Sequence, residues 1–383
     1  DFIEASGWRK GPGEARAPIA LRLKIPGYDV ERNRQDPNDL AVLVTRWVVD
    51  KNPEAKSALS VATNRALLDR KDIIFAIAAT LALKLEHWSD AERFAGLAAT
   101  SSAARAPDAD KEYERHELMY LHALSLRFLL GSLGEARITG SLNKRWLEFL
   151  NGAVSLLLQC ESYHRNPEGE KRSHKLRIMR AISERAAIRL FYAMWIASAR
   201  PTSAAARYGD GGFAAEIRAR AIAEIQLAVS ELRICRGMEP EAEKQVDDYK
   251  QENAEFLKGL RHQIFINLAS SQVIASILEE DGELPAKVKL SPDEQEKLIE
   301  RLIELFGVKD FDTMPLIAKI DVLAFRAIYG DEELKQGNLE DIDELVRPPS
   351  ASSTDFDNMG RSSSSSLKLD RVAIDAIKKK LGI

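Results

Sequence analysis

The sequence predicts an all-α protein made of antiparallel helical hairpins, and three observations support this. From Asp39 onward apolar residues recur at helical spacing, as Leu40, Val44 and Trp47 do in the first such segment. Patterns typical of strands are almost absent after residue 38. The 383 residues include only 21 Gly and 14 Pro, so long stretches lack the two residues that most often interrupt helices.

The composition excludes several classes of protein. A hydrophobic content of 45% supports a large core and excludes a disordered or collagen-like chain. Cys160 and Cys235 are the only cysteines, which excludes a disulfide-based scaffold. No apolar run reaches the roughly 18 residues that a membrane span needs. We therefore expect a cytoplasmic protein that neither enters a membrane nor carries a cofactor.

Changes in composition divide the chain into five predicted segments. The Pro- and Gly-rich start contains Ile19 to Ile25, whose alternation with polar residues predicts a short strand or an extended connector. The chain begins at Asp1 without an initiator Met, which favours a piece of a longer protein. The segments are an irregular N-terminal connector (1–38), a helical-repeat domain (39–282), an acidic C-terminal helical pair (283–348), a disordered Ser-rich linker (349–369) and a short terminal helix (370–383).

Periodicity and breaking residues set the individual helices. Ser291, Pro292 and Glu294 predict a capped helix start, with Ser at the N-cap, Pro in the first turn and Glu closing a capping box. The longest predicted helix is 239–280, with a break near Glu252 as an alternative. The predicted helices are 39–50, 53–68, 72–86, 91–99, 111–130, 142–161, 174–199, 213–236, 239–280, 291–306 and 313–329.

One segment, 75–99, has the pattern of a helix, a turn with an aromatic residue and a second helix rich in small residues. Small residues stand at Ala79, Ala91 and Ala98, and Trp88 stands near the turn. This pattern resembles one tetratricopeptide repeat. The resemblance implies stacked hairpins that form an irregular solenoid with a concave binding surface, and a binding module rather than a catalyst. An irregular helical bundle that contains one such hairpin is the alternative.

Three motifs contain residue types that catalytic or ligand-binding sites use. His116 begins a zinc-protease-like pattern, but Tyr120 stands where the second His ligand must be. Arg115 and His122 fit the Arg-x(4–6)-His spacing of HEPN-type helical ribonucleases, a spacing that chance alone produces in a chain of this composition. The glycines of 208–212 lack the Lys-Ser or Lys-Thr of a P-loop. We therefore predict no catalytic residues and no metal ligands, and favour a protein that is not an enzyme.

Charge is unevenly distributed along the chain. Residues 165–236 contain 14 Lys and Arg against 7 Asp and Glu, whereas residues 237–350 contain 13 against 26. The basic run either binds phosphate groups or pairs with the acidic part, within one chain or between copies. The acidic cluster 279–283 either faces a basic partner or is a solvated loop. The candidate binding residues on the basic face are Arg172, Lys175, Arg177, Arg180, Arg185 and Arg189.

These features favour a non-catalytic helical scaffold or sensor module that mediates protein–protein interaction or self-association. The alternative is nucleic-acid or nucleotide binding through the basic helices of residues 165–236, which steep salt dependence of binding would reveal.

Overall fold

The computed structural model describes residues 71–84, 86–104, 109–165, 175–201, 211–247, 250–306, 311, 314–346 and 367–383. Several predicted features lie outside these residues: the N-terminal connector, the helices predicted before residue 71, most of the glycine-containing segment 208–212, and nearly all of the Ser-rich linker.

The all-α prediction is confirmed for the described part of the chain, which contains eleven α-helices and one two-residue parallel strand pair. None of the helices in these described ranges is both long enough and apolar enough to cross a lipid bilayer. The helices are α1 (Lys71–Lys84), α2 (Trp88–Ala103), α3 (Ala109–Leu133), α4 (Gly140–Arg165), α5 (Lys175–Ser198), α6 (Gly211–Asp247), α7 (Lys250–Glu279), α8 (Pro292–Leu305), α9 (Leu316–Tyr329), α10 (Glu332–Val346) and α11 (Lys368–Leu381), and the strands are β1 (Arg137–Ile138) and β2 (Arg200–Pro201).

The chain divides into two compact units, Asp1–Leu129 and Leu130–Ile383. The predicted helical-repeat domain, 39–282, therefore has parts in both units. Within the second unit, α5 packs against α11, and α7 packs against α8, α9 and α11.

In the first unit, α1 and α2 form the helical hairpin that the sequence predicts. Ala79, Ala91 and Ala98 are fully buried, which lets the two helices approach closely. The turn lies at Glu86, whose positive φ of 61° reverses the chain, so α2 already begins at Trp88. The Trp88 ring stacks on Phe128 of α3 with 5.0 Å between ring centroids. The predicted turn aromatic is thus the first residue of α2 and packs against α3.

In the second unit, α5 is the central helix. It contacts α4, α6, α7 and α11, and every residue from 181 to 190 is buried. The sequence of α5 carries apolar residues on all sides, which is typical of a helix surrounded by others. Near its C-terminal end, Trp195 stacks on Trp146 of α4 at 4.8 Å, and its indole N–H donates to the backbone carbonyl of Glu135 at 2.9 Å.

The C-terminal helices confirm one prediction and correct two others. The capping box at the start of α8 is present: the Glu294 N–H donates to Ser291 Oγ and the Ser291 N–H donates to Glu294 Oε2. The predicted start at 239 is wrong, because α6 continues through Pro240 to Asp247, whereas the alternative of a break near Glu252 lies close to the observed start of α7 at Lys250. The predicted C-terminal pair omits α10, whose few apolar residues give only a weak periodic pattern.

Helix α11 confirms the predicted terminal helix and packs against the other helices of the second unit. Leu369, Ala373 and Ile377 are buried on its inner side. Its approach is close at Gly134, where an added Cβ would lie 2.7 Å from Leu369 Cα and 2.8 Å from Leu369 N. At Gly131 an added Cβ would lie 3.1 Å from the Leu367 side chain. The absence of a side chain at Gly134 is therefore what admits the backbone of α11.

We expect Gly134→Ala to destabilise the protein by about 1–3 kcal/mol, because the new methyl group meets backbone atoms that cannot rotate away. Chemical denaturation measures the loss, and hydrogen exchange of the α11 amides locates it. Gly337→Ala on α10 is the matched control: no atom of the described residues lies within 4 Å of its added Cβ, so we expect it to stabilise by up to about 1 kcal/mol. Equal effects of the two substitutions would contradict the close packing of α11.

Candidate functional site

Two of the predicted binding residues, Arg185 and Arg189, lie in the interior rather than on an exposed basic face. Their side chains are only 7% and 11% exposed. Arg185 donates to Glu161 of α4, and Arg189 donates to Glu224 of α6. The expectation that they form part of a surface is corrected: one helical turn apart on a buried helix, they pair with carboxylates inside the fold.

The other predicted residues are distributed over different surroundings. Lys175 Nζ lies 2.6 Å from Glu241 Oε2 of α6, and the Arg177 guanidinium lies 5.8 Å from the ring centroid of Phe256. Arg180 is partly buried on α5, and Arg172 lies outside the described residues. The structure thus brings Arg185 and Arg189 together and does not gather the predicted set into one face.

Arg185 and Arg189 belong to an alternating chain of charges that we call the arginine–glutamate network. Each glutamate in it contacts two arginines. Glu231 joins Arg185 at 2.6 Å to Arg189 at 3.3 Å, and these are the innermost contacts. The outermost arginines are each 45% exposed, so the network runs from solvent through the core to solvent. In order its members are Arg165, Glu161, Arg185, Glu231, Arg189, Glu224 and Arg220, with successive N–O distances of 2.7, 2.6, 2.6, 3.3, 2.5 and 2.5 Å.

The network determines the electrostatics of the core around it. Burial acts to lower the pKa of Arg185, but Glu231 and Glu161 outweigh burial and hold that pKa above its ordinary value. Burial, reinforced by the Glu231 carboxylate, raises the pKa of the nearby Cys235 thiol. A buried thiol that remains protonated is a poor nucleophile and metal ligand. Cys235 and Cys160 are both buried and form no disulfide, and the raised pKa supports a structural role for Cys235.

The histidine and arginine motifs of α3 are engaged in local contacts. His122 Nε2 lies 3.1 Å from Glu92 Oε1, and the His122 ring packs beside Gly96 of α2. Arg115 pairs with Glu112 one turn earlier at 3.6 Å. Across the described ranges, no three His, Cys, Asp or Glu side chains group so that they could hold a metal ion.

The acidic cluster at 279–283 has partners within the chain. Glu280 pairs with Lys380 of α11 at 3.1 Å, and Glu279 pairs with Lys289. The α7 C-terminus is capped by Arg218 of α6, which donates to the carbonyls of Leu278 and Gly282. Basic residues of the first run thus meet the acidic part within one copy, as the pairing of Arg233 with Glu294 at 2.9 Å also shows.

A cleft of about 440 Å³ lies between α6, α7 and α8. Its lining combines four cations, three carboxylates and one aromatic ring. The ring is Phe265, and the guanidinium carbons of Arg236 and Arg301 lie 5.5 and 5.9 Å from its centroid. The lining residues are Arg233, Arg236, Glu239, Phe265, Lys297, Glu300, Arg301 and Glu304.

Glu239 is the most buried carboxylate of this cleft. Burial raises the pKa of Glu239, and the nearby Arg261, Arg236 and Arg301 only partly oppose this effect. Glu239 Oε2 lies 3.5 Å from Arg261 Nε, whereas Glu239 Oε1 is buried without a hydrogen-bond partner among the described residues. The cleft therefore contains one polar atom that the described residues do not satisfy.

Sequence reasoning missed most of this cleft. Lys297 and Arg301 lie in a segment with a net negative charge, so counting charges hides them. A usable signal exists nevertheless: the capping box fixes the start of α8, and Lys297 and Arg301 are then one turn apart, away from the buried Leu298 and Leu302. Their meeting with Arg236 of α6 depends on tertiary packing.

Comparison of the chain with protein-family models, with curated proteins and with solved structures finds no match.

Proposed function

We propose that this chain is a helical interaction module that self-associates through the exposed side of α6. The observation that carries the proposal is a stripe of small and apolar residues along this helix. Leu227 and Ile234, two helical turns apart, are 47% and 49% exposed. We call this surface the α6 stripe; its members are Ala219, Ala223, Leu227, Ser230, Ile234 and Gly237.

The spacing of the α6 stripe suits a second copy of the same helix. The six residues are spaced three or four positions apart, so they lie along one side of α6. Small residues at Ala223 and Gly237 allow close approach of a partner helix, while Leu227 and Ile234 supply apolar area. A two-fold interface uses the same surface on both partners, and an antiparallel pair centred on Ser230 places Ala223 of one copy opposite Gly237 of the other.

Charge complementarity favours a second copy over an unrelated partner. In an antiparallel pair centred on Ser230, Glu216 of each copy stands opposite Lys244 of the other. Both side chains are exposed. The pairing therefore places opposite charges at both ends of the apolar stripe, where they select the antiparallel register.

The hairpin architecture supports a module of this kind. Consecutive helices from α4 to α7 contact one another, and α5 also contacts α7, a pattern typical of stacked hairpins. In the first unit, the α1–α2 hairpin has the small buried residues that a tetratricopeptide-like repeat requires. From these features we propose an irregular tetratricopeptide-like solenoid. Helix α11 does not follow this pattern, because it packs back onto α5.

We expect the purified chain to dimerise and Leu227→Glu or Ile234→Glu to weaken the dimer at least about tenfold, because each substitution buries a charge twice in a two-fold interface. Sedimentation velocity over a range of concentrations measures the dimer dissociation constant. Leu158→Glu on α4 is the matched control, since Leu158 is 49% exposed and lies outside the stripe.

A charge exchange tests the register. Glu216→Lys or Lys244→Glu alone should weaken the dimer, and the double variant should restore it, because each copy then offers the opposite charge to its partner. A chain that stays monomeric at every concentration, or a Leu158→Glu variant that weakens the dimer as much as Leu227→Glu, would overturn the proposal.

A further inference from the structure

A second cleft, with a volume of about 560 Å³, lies between α8, α9 and α10, and we call it the α9 cleft. Six of the nine side chains that line it are aliphatic or aromatic, so its surface is mostly apolar. Those of α9 are almost completely buried, whereas the two rings are half-buried. The six are Leu302, Phe306, Phe311, Val322, Leu323 and Leu345. This lining suits a ligand with a hydrocarbon or aromatic part.

The cation that lines the α9 cleft, Arg326, lacks an acceptor. Its side chain is half-buried, and its guanidinium forms no hydrogen bond and no ion pair with any residue that the structure describes. Burial lowers the pKa of Arg326, and the Asp341 carboxylate only partly opposes this effect. A guanidinium group contains only donors, so a ligand satisfies it by supplying an acceptor oxygen. The α9 cleft therefore combines an apolar surface with one unsatisfied donor group.

Two carboxylates of α10 determine which kind of acceptor suits the α9 cleft. Asp341 and Glu344 also line it, and both are exposed, so water solvates them without a ligand. The lining thus has two negative charges against one positive charge. An anionic ligand group would be repelled by both carboxylates, whereas a neutral carbonyl oxygen accepts the same hydrogen bond without this repulsion. The charges therefore favour a neutral acceptor over a carboxylate or a phosphate.

We propose that the α9 cleft binds a neutral apolar molecule that carries a carbonyl group, such as a long-chain or aromatic ketone, whose oxygen accepts a hydrogen bond from the Arg326 guanidinium. The hydrocarbon part of the ligand packs against the six apolar side chains, which supply most of the affinity. The charged donor makes the single hydrogen bond stronger than one between neutral groups. The volume of about 560 Å³ lies within the range of small-ligand pockets.

Fluorescence titration of the full chain with the neutral aromatic ketone Prodan, whose emission moves to shorter wavelength in apolar surroundings, tests this site. We expect saturable binding and displacement of Prodan by the aliphatic ketone 2-undecanone. Arg326→Met removes the donor and keeps a long side chain, so it should weaken both ketones at least about tenfold, and Arg326→Lys should retain part of the affinity. Arg371→Met is the matched control, because Arg371 is exposed on α11, outside the cleft; it should bind as the wild type does.

Charged analogues of the aliphatic ketone test the choice of a neutral group. Decanoate should displace Prodan from the wild type at least about tenfold less effectively than 2-undecanone, because Asp341 and Glu344 repel it. Decylammonium should also be weaker than the ketone, because it cannot accept a hydrogen bond from Arg326 and is repelled by it. The double variant Asp341→Asn/Glu344→Gln should strengthen the binding of decanoate and leave that of 2-undecanone unchanged.

Three results would contradict this assignment: no saturable binding of Prodan, equal weakening by Arg326→Met and Arg371→Met, or wild-type binding of decanoate or decylammonium as tight as that of 2-undecanone. The last result would show that charge, rather than a neutral acceptor, selects the ligand. Leu227→Glu, which lies in the α6 stripe and outside the α9 cleft, should bind Prodan as the wild type does. Failure of the ligand site is therefore distinguishable from failure of the proposed self-association.

Discussion

Glu231→Ala should lower the free energy of unfolding by about 3–5 kcal/mol, because it removes the carboxylate that joins Arg185 and Arg189 in the core. Both guanidinium groups are almost inaccessible to water, so solvent cannot replace the lost partner. Each arginine keeps one glutamate, yet the network changes from four arginines against three glutamates to four against two. Urea denaturation followed by circular dichroism measures the loss.

A double variant separates charge pairing from loss of packing. In Arg185→Met/Glu231→Ala every remaining member of the network keeps a partner: Glu161 keeps Arg165, and Arg189 keeps Glu224. We therefore expect the double variant to be more stable than Glu231→Ala alone. Glu241→Ala removes the exposed partner of Lys175 and should leave the denaturation midpoint unchanged. If the losses of the two single substitutions simply add in the double variant, the network is not a coupled unit.

This network also shows why Arg185 and Arg189 are not part of an exposed basic face. Charge counting groups residues that are close in sequence, whereas Arg185 pairs with Glu161 and Glu231, 24 and 46 residues away. The sequence of α5 does contain a signal that its arginines are buried. Its apolar residues occur on every side, which indicates a buried helix, and arginines on a buried helix require acidic partners. Their identity still depends on how α4, α5 and α6 pack.

Local signals predicted other parts of the fold well. The capping box of α8 and the α1–α2 hairpin follow from short patterns whose interactions lie within one or two helices. The boundary between α6 and α7 followed only in part: the predicted change of helix between 236 and 239 is wrong because α6 continues through Pro240, but the alternative break near Glu252 lies close to the start of α7 at Lys250. The cleft did not follow either, since Arg236, Phe265 and Arg301 come from three helices and meet only in the folded chain.

The attachment of α11 contains a buried acid whose titration affects stability. Asp321 of α9 is buried and accepts a hydrogen bond from Ser270 of α7 at 2.5 Å. Burial raises the pKa of Asp321 to about 7; the Ser270 hydrogen bond opposes this and the negative charge of Asp370 on α11 adds to it. Asp370 is itself buried. When Asp321 ionises, its negative charge is therefore repelled by that of Asp370 at the contact between α9 and α11.

The sign of the pH dependence follows from this raised pKa. Between pH about 4 and 7 the folded protein retains a proton on Asp321 that the unfolded chain has released, so its contribution to stability falls as the pH rises through this window. The full change is about 4 kcal/mol for a shift of about three pKa units. Above pH 7 the free-energy cost of the ionised Asp321 becomes smaller if α11 detaches, because the buried carboxylates then separate and are hydrated.

Asp321→Asn should therefore be more stable than the wild type at pH 8 and should lose most of the decline in stability between pH 5 and 7, because the amide cannot ionise. Urea denaturation at both ends of this range measures the change. Hydrogen exchange of the α11 amides, corrected for intrinsic rates, should show wild-type α11 opening more often at pH 8 than at pH 6, and no such difference in the variant. Asp375→Asn, an exposed substitution on the same helix, should behave as the wild type does in both measurements. An Asp321→Asn variant that keeps the wild-type slope would show that titration of Asp321 does not produce the decline in stability with pH.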